Sequence, residues 1–270
     1  MILIQISDLH CRPRGRAAMR ACETNSLTER ALCAVRDFRP RADALVITGD
    51  LTNNGQVAEY ETLAEMLGRI IDMPVYVIPG NHDDRTNLRA VLGQLPGVTS
   101  DPDFVQYAVE DLPVRLVMLD TLIPGSPAGE LCGRRMQWLD LTLGLQPDKP
   151  TMLAMHHPSF LCGIGHLDRI ILRDPVGFAT LVAKHRQVRR IICGHHHRVI
   201  TTNVAQAIAS TGSGVAHIVE LELFTHNDGM WMLEPPGFQV HTWIEGTGLV
   251  SHSGFVDRFP GPWPFIDDPA

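Results

Sequence analysis

The 270-residue sequence lacks several features that would point elsewhere. None of its six cysteines (11, 22, 33, 132, 162, 193) forms a CxxC pair, so they read as reduced thiols of an intracellular protein rather than a redox or zinc motif. No apolar stretch approaches the roughly 20 residues of a membrane span. The opening "MILIQISDLH" has no basic n-region and meets Asp8 early, so it reads as a buried strand, not a leader, and cytoplasmic residence is expected. Clustered positive charge is also missing. Lys and Arg number 23 against 30 Asp and Glu, a net charge of −7, with no basic stripe for a long nucleic-acid polymer. A small phosphate ester stays open, because a metal can supply the positive charge locally. There is no internal repeat, low-complexity tract or flexible linker.

Histidine is abundant, with 13 residues, and its placement carries the information. Short apolar runs at 2–7, 44–48, 74–79, 114–120, 151–156 and 189–194 read as strands buried on both faces. Helical patterns lie between them at 24–38, 56–71, 84–93, 133–145 and 174–186. After about 198 the pattern turns to β, in "RVITTNVAQAIAS", "VAHIVELEL", "GFQVHTWIE" and "LVSHSGF". The Pro-rich tail "RFPGPWPFIDDPA" reads either as a surface or interface wrap or as a loose end.

Polar residues follow the apolar runs in a consistent way. Successive strands run into Asp8-Leu9-His10, Gly49-Asp50, Gly80-Asn81-His82-Asp83, His156-His157 and Gly194-His195-His196-His197. Ligands of open α/β sheets bind beyond the carboxyl ends of strands. Taken singly, such an Asp is an ordinary turn or cap, and such a His a satisfied polar group. Five strand ends repeating one donor chemistry argue for a metal centre. The carboxylate, imidazole and carboxamide donors suit Mn, Fe, Zn or Co better than a thiolate site does. Seven side chains exceed one tetrahedral shell. If Asp50 bridges, two divalent ions each receive four ligands and keep open positions. The i, i+2 spacing of Asp8 with His10, and of His195 with His197, is expected to project each pair together from an extended strand end. His196 is then expected behind the ligands or in solvent.

The blocks D-x-H (8–10), G-D (49–50), G-N-H-D (80–83), H (156) and G-H-x-H (194–197) resemble the calcineurin-like metallophosphoesterases. "ISDLHCRPRG", "VITGDLTNNGQVAEY", "YVIPGNHDD", "MHHP", "GVAH" and "GPW" resemble, more narrowly, the class III cyclic nucleotide phosphodiesterases and bacterial glycerophosphodiesterases. The resemblance implies an α/β fold, a four-layer αββα sandwich of two mixed sheets. It implies one ion on Asp8, His10 and His197, a second on Asn81, His156 and His195, and Asp50 between them. It places His82 at the substrate phosphate with Asn81, and brings His217 to the same pocket; an ordinary strand histidine is the other reading of His217. Residues 1–217 would form the catalytic core. Residues 218–270 would complete the second sheet and add a small cap or oligomer contact, in a homo-oligomer. The loop after Asp50, "LTNNG", lacks the arginine of protein phosphatases.

The expected reaction is hydrolysis of a small phosphodiester, a 3′,5′- or 2′,3′-cyclic nucleotide or a glycerophosphodiester. A hydroxide shared by the ions on either side of Asp50 would attack phosphorus in line, and His82 would assist the leaving alkoxide. Asp83 either orients His82 or caps the following helix. Arg12, Arg14 and Arg16 either recognise phosphate or form a solvated loop. The alternatives are a nuclease or phosphomonoesterase of the same superfamily, or a non-catalytic binding module on this fold.

Overall fold

Each of the six apolar runs is a strand and each of the five helical patterns a helix in the computed structural model, which describes residues 1–19, 21–225 and 228–265. The first half of the chain contains β1 (Ile2–Ile6), α1 (Thr24–Asp37), β2 (Ala44–Ile47), α2 (Val57–Ile70), β3 (Val75–Val77), α3 (Arg85–Leu92), β4 (Tyr107–Val109) and β5 (Arg115–Leu119). Next come α4 (Gly133–Gly144), β6 (Thr151–Met155), α5 (Gly165–Asp168), α6 (Pro175–Lys184) and β7 (Val188–Cys193). The chain then turns to β: β8 (Thr201–Val204), β9 (Ala207–Thr211), β10 (Ile218–Val219), β11 (Trp231–Met232), β12 (Gly237–Ile244) and β13 (Gly248–Phe255).

Among the described residues two large sheets form, ordered β13-β12-β1-β2-β3 and β4-β5-β6-β7-β9-β8, and β10 and β11 pair as a two-stranded ribbon. Neighbours run parallel from β1 to β3 and from β5 through β7 to β9; β12, β13, β4 and β8 are antiparallel additions. The period of two along β5–β7 divides their side chains between two cores. Val117, Leu119, Leu153, Met155 and Ile191 pack with Leu139 and Leu143 of α4 and Phe178 and Val182 of α6. Leu116, Met118, Met152, Ala154 and Ile192 join instead the cluster that holds the first sheet, α1 and α2. The layers therefore run helix, sheet, sheet, helix.

The late strands depart from expectation. Residues 201–211 join the second sheet, but β12 and β13, within 218–270, extend the first. The cause is β1: Leu3 to Ile6 are buried on both faces, so the edge of β1 away from β2 needs a partner for its backbone groups, and β12 supplies it. The run 215–223 yields only the two residues of β10, since its partner β11 is equally short. In the tail Phe259, Trp263 and Phe265 stand exposed, and 266–270 lie outside the described residues. Among the described residues no helix is long and apolar enough to cross a membrane.

Truncating either core should cost similar amounts. Leu116→Ala, between the sheets, and Leu153→Ala, beneath α4 and α6, are each expected to lower the unfolding free energy by about 2–5 kcal/mol, read from urea denaturation. A loss under about 1 kcal/mol at either position would contradict the layer it is assigned to.

Candidate metal centre

The parallel strands bring their C-terminal ends to one place. Beyond β1 and β2 the loops stay zipped: Asp8 N–H donates to Gly49 O (3.1 Å) and His10 N–H to Asp50 O (3.0 Å). Within the second sheet Gly194 N–H donates to His156 O (3.1 Å), and the two sheets meet where His195 N–H donates to Asp8 Oδ1 (3.0 Å). The approach is close enough to dictate glycine. A Cβ at Gly194 would clash with Ser7 Oγ and the Thr48 carbonyl, and one at Gly80 with Asp50 Oδ1.

Asp8 and His10 do converge, but not by strand alternation, while His195 and His197 part, His195 joining His156 and His157 and His197 joining Asp8 and His10. Asp8 (φ 56°), His10 (46°), Asp50 (47°), His195 (69°) and His197 (54°) are all left-handed. Each turn folds its side chain back over the strand end, at about 1 kcal/mol or more per residue.

Asp8, His10, Asp50 and His197 offer donor atoms all within 4.8 Å of one another. Asp50 Oδ1 accepts from His82 N–H (2.9 Å), while Oδ2 lies 3.6 Å from His10 Nε2 and 3.4 Å from His156 Nε2. His156 Nε2 is 3.1 Å from Asn81 Oδ1, and His195 packs beside it with ring centroids 5.0 Å apart. The far nitrogens are tied to backbone. His156 Nδ1 donates to Thr48 O (2.8 Å) and His197 Nδ1 to His217 O (2.9 Å), and His195 Nε2 donates to Ile170 O (3.1 Å). The opposite nitrogen of each ring keeps its lone pair for the site. Burial alone would raise the Asp50 carboxyl, but His156, His82 and His10 hold it well below the carboxylate range. Burial raises Asp8, whereas Asp50 and Asp8 lift His156 to about 9 against its own burial.

This arrangement fits cations. Donors about 2.1 Å from a shared ion lie about 3.0–3.4 Å apart, close to the separations here. Asp8 Oδ2 and His10 Nδ1 are buried without a partner, and the groups acting most strongly on both carboxylates are imidazoles, not Lys or Arg. Asp50 lies between the cluster of Asp8, His10 and His197 and the pair His156 and Asn81.

Around the centre, His82 is exposed at a cleft of about 690 Å³, with Nδ1 held by the Asn53 carbonyl at 2.8 Å and Nε2 left free. His217 is half-buried, its ring 4.1 Å from that of His197. His196 does not face solvent: it is fully buried near Phe160 with neither ring nitrogen bonded. His157, absent from the sequence-derived set, is also fully buried and clusters with His156 and His195; Thr121 Oγ1 holds its Nδ1 at 2.7 Å. Its one signal was its place beside His156.

Asp83 does neither of the things expected of it. Asp84 caps α3, accepting from Asn87 N–H (2.9 Å). The buried Asp83 carboxylate accepts instead from Leu51 and Gly80 N–H, from Thr52 N–H and Oγ1, and from Tyr60 OH, at 2.9–3.1 Å, joining the loops after β2 and β3. Arg12 likewise is no solvated loop residue. It pairs at 2.6 Å with the fully buried Glu59, which also accepts from Asn54 and Gln56 N–H. Arg14 pairs with Glu65, and Arg16 is exposed.

Asp83→Ala is therefore expected to lower stability by about 3 kcal/mol in urea denaturation, because buried donors left without an acceptor cost about 1–3 kcal/mol each. A change below 1 kcal/mol would show that the loops hold without it.

The calcineurin-like phosphoesterase profile matches residues 1–199. A probable glycerophosphodiester phosphodiesterase, GpdQ, of Arcobacter nitrofigilis is 34% identical over 99% of this chain and 98% of its own length. The 3′,5′-cyclic adenosine monophosphate phosphodiesterase CpdA of Escherichia coli is 30% identical over 73% of this chain and 69% of its own. Among solved structures, a dimetal phosphatase from Danio rerio superposes with a TM-score of 0.67 at 17% identity, covering 95% of this chain and 99% of that one. On the profile match and the near full-length relative, this chain belongs to the calcineurin-like phosphoesterase family.

Proposed function

We propose that the chain hydrolyses small phosphodiesters, glycerophosphodiesters first and cyclic nucleotides alongside them, using two divalent ions drawn from Fe, Mn, Zn and Co. The observation that carries this reading is the near-complete alignment to a protein named for glycerophosphodiesters, in a chain whose donors converge. Asp8, His10 and His197 would hold one ion, Asn81, His156 and His195 the other, with Asp50 shared. Bound there, the ions would offset the charge of the diester and bring the pKa of a water near neutrality.

The chain's own residues do the rest. Asn81 donates an oxygen without negative charge, so its ion is the more weakly held. His82, with Nδ1 fixed by Asn53, presents Nε2 to the phosphoryl oxygen or the leaving alkoxide, and His217 lines the opposite side beside His197. The cleft next to His82 carries the amides of Asn53 and Asn54, suited to the hydroxyls of glycerol or ribose. Six free cysteines support residence in the reducing cytoplasm.

Residues 218–270 support a cap and a homo-oligomer contact. Leu221, Phe224, Met230 and Leu233 are 60–86% exposed around the β10–β11 pair, large apolar side chains of the kind an interface buries.

The test is a panel of bis(p-nitrophenyl) phosphate, 3′,5′-cAMP, 2′,3′-cAMP and glycerophosphoethanolamine, each with Mn, Fe, Co and Zn. His82→Ala should lower kcat by about 10²–10⁴. Turnover confined to monoesters, or none with any metal, overturns the reading. Asn81→Asp should retain metal through dialysis better than wild type and turn over more slowly. Light scattering should give a dimer or larger; a monomer at every concentration would remove the oligomer contact.

A further inference from the structure

A line of buried polar groups runs from the last two strands to the ends of the strands that carry the metal centre. Gln5 on β1 is 1% exposed. Its Nε2 donates at 2.9 Å both to Thr48 Oγ1 and to the Cys193 carbonyl. Thr48 immediately precedes Gly49-Asp50 on the first sheet, and Cys193 immediately precedes Gly194-His195 on the second. One carboxamide thus grips both sheets where their loops depart. The Thr48 carbonyl in turn accepts from His156 Nδ1.

An amide can turn over and exchange its oxygen and nitrogen, so the grip depends on what fixes it. His241 on β12, fully buried, places Nε2 3.1 Å from Gln5 Oε1 and Nδ1 2.7 Å from Ser251 Oγ on β13. An amide oxygen only accepts, so His241 carries its proton on Nε2 and accepts from the Ser251 hydroxyl at Nδ1. Burial, and then the Arg190 guanidinium, push its pKa down to about 3, which keeps the ring neutral. Every donor points one way, from Ser251 to His241, to Gln5, and on to Thr48 and Cys193.

We infer that Gln5, oriented by His241, is a positioning residue that fixes the separation of the Asp50 and His195 loops and thereby the fit of the metal ions. The inference rests on reading the site as a metal centre. A purely structural network would lower thermal stability when cut and leave metal affinity in the folded protein untouched.

The experiment titrates Mn²⁺ calorimetrically into metal-stripped full-length protein, well below its melting point. Melting curves and bis(p-nitrophenyl) phosphate turnover are measured alongside. Gln5→Leu and His241→Phe should weaken Mn²⁺ binding about 10–100-fold, the usual effect of losing a group behind a metal ligand. His241→Gln, which keeps an N–H for Gln5 Oε1, should restore most of that affinity. Leu143→Ala on α4, remote from the relay, should lower the melting temperature alone. Wild-type affinity in both Gln5→Leu and His241→Phe overturns the inference. If Gln5→Leu does not fold, the two His241 variants decide it. A wild type that takes up no Mn²⁺ and cleaves no diester overturns the metal-centre reading itself, and this inference with it.

Discussion

The carboxylates of Asp8 and Asp50 are almost completely buried, with oxygen atoms inside one cluster 4.8 Å across, and the groups that bear on them most are imidazoles. Two like charges removed from water repel and lose hydration, and the imidazoles that hold Asp50 low, His156 first among them, do so only as protonated rings. A divalent cation answers both costs. The rest of the site follows from that constraint: lone pairs of His156 and His197 turned inward by backbone acceptors, glycines where two sheets press together, and a carboxamide where a third carboxylate would add repulsion.

Precision of this kind needs a rigid base, because the ligands stand on loops. The base consists of buried polar side chains beneath the turns. Glu59 joins the loops after β1 and β2 through Arg12 and two backbone N–H groups, and Asp83 joins those after β2 and β3. Gln5 spans the sheets. Each is nearly or fully buried and accepts or donates several hydrogen bonds, so each holds its loops by directional contacts that an apolar residue cannot supply.

Most of the catalytic half was legible in the sequence. Strands buried on both faces and helices with one apolar stripe have strong periodic signatures, and the six runs and five helices fall within a residue or two of the observed bounds. Convergence of Asp8, His10, Asp50, Asn81, His156, His195 and His197 was legible for the same reason, since parallel strands present their ends together. What escaped depends on partners distant in sequence. Short β4 and β11 exist only through their neighbours, and β12 reveals its sheet only once β1 is seen to need a second edge. Arg12 looked solvated because Glu59 is 47 residues away. The extended-strand explanation of the spacing reached one right pair, Asp8 with His10, by a wrong geometry, and wrongly paired His195 with His197, because left-handed φ angles leave no mark in hydropathy.

Those left-handed turns make five positions serve as both candidate metal ligand and backbone corner. Of the side chains without extra cost in that conformation, glycine offers no donor, while Asn and Asp tolerate it best among the rest. Exchange of Asp8 or Asp50 for Asn keeps the corner and replaces one carboxylate oxygen and its charge by an NH2 group, whereas alanine disturbs the corner as well. Alanine scanning at these five positions therefore mixes a conformational penalty into each effect, and amide replacement at the two aspartates separates the two.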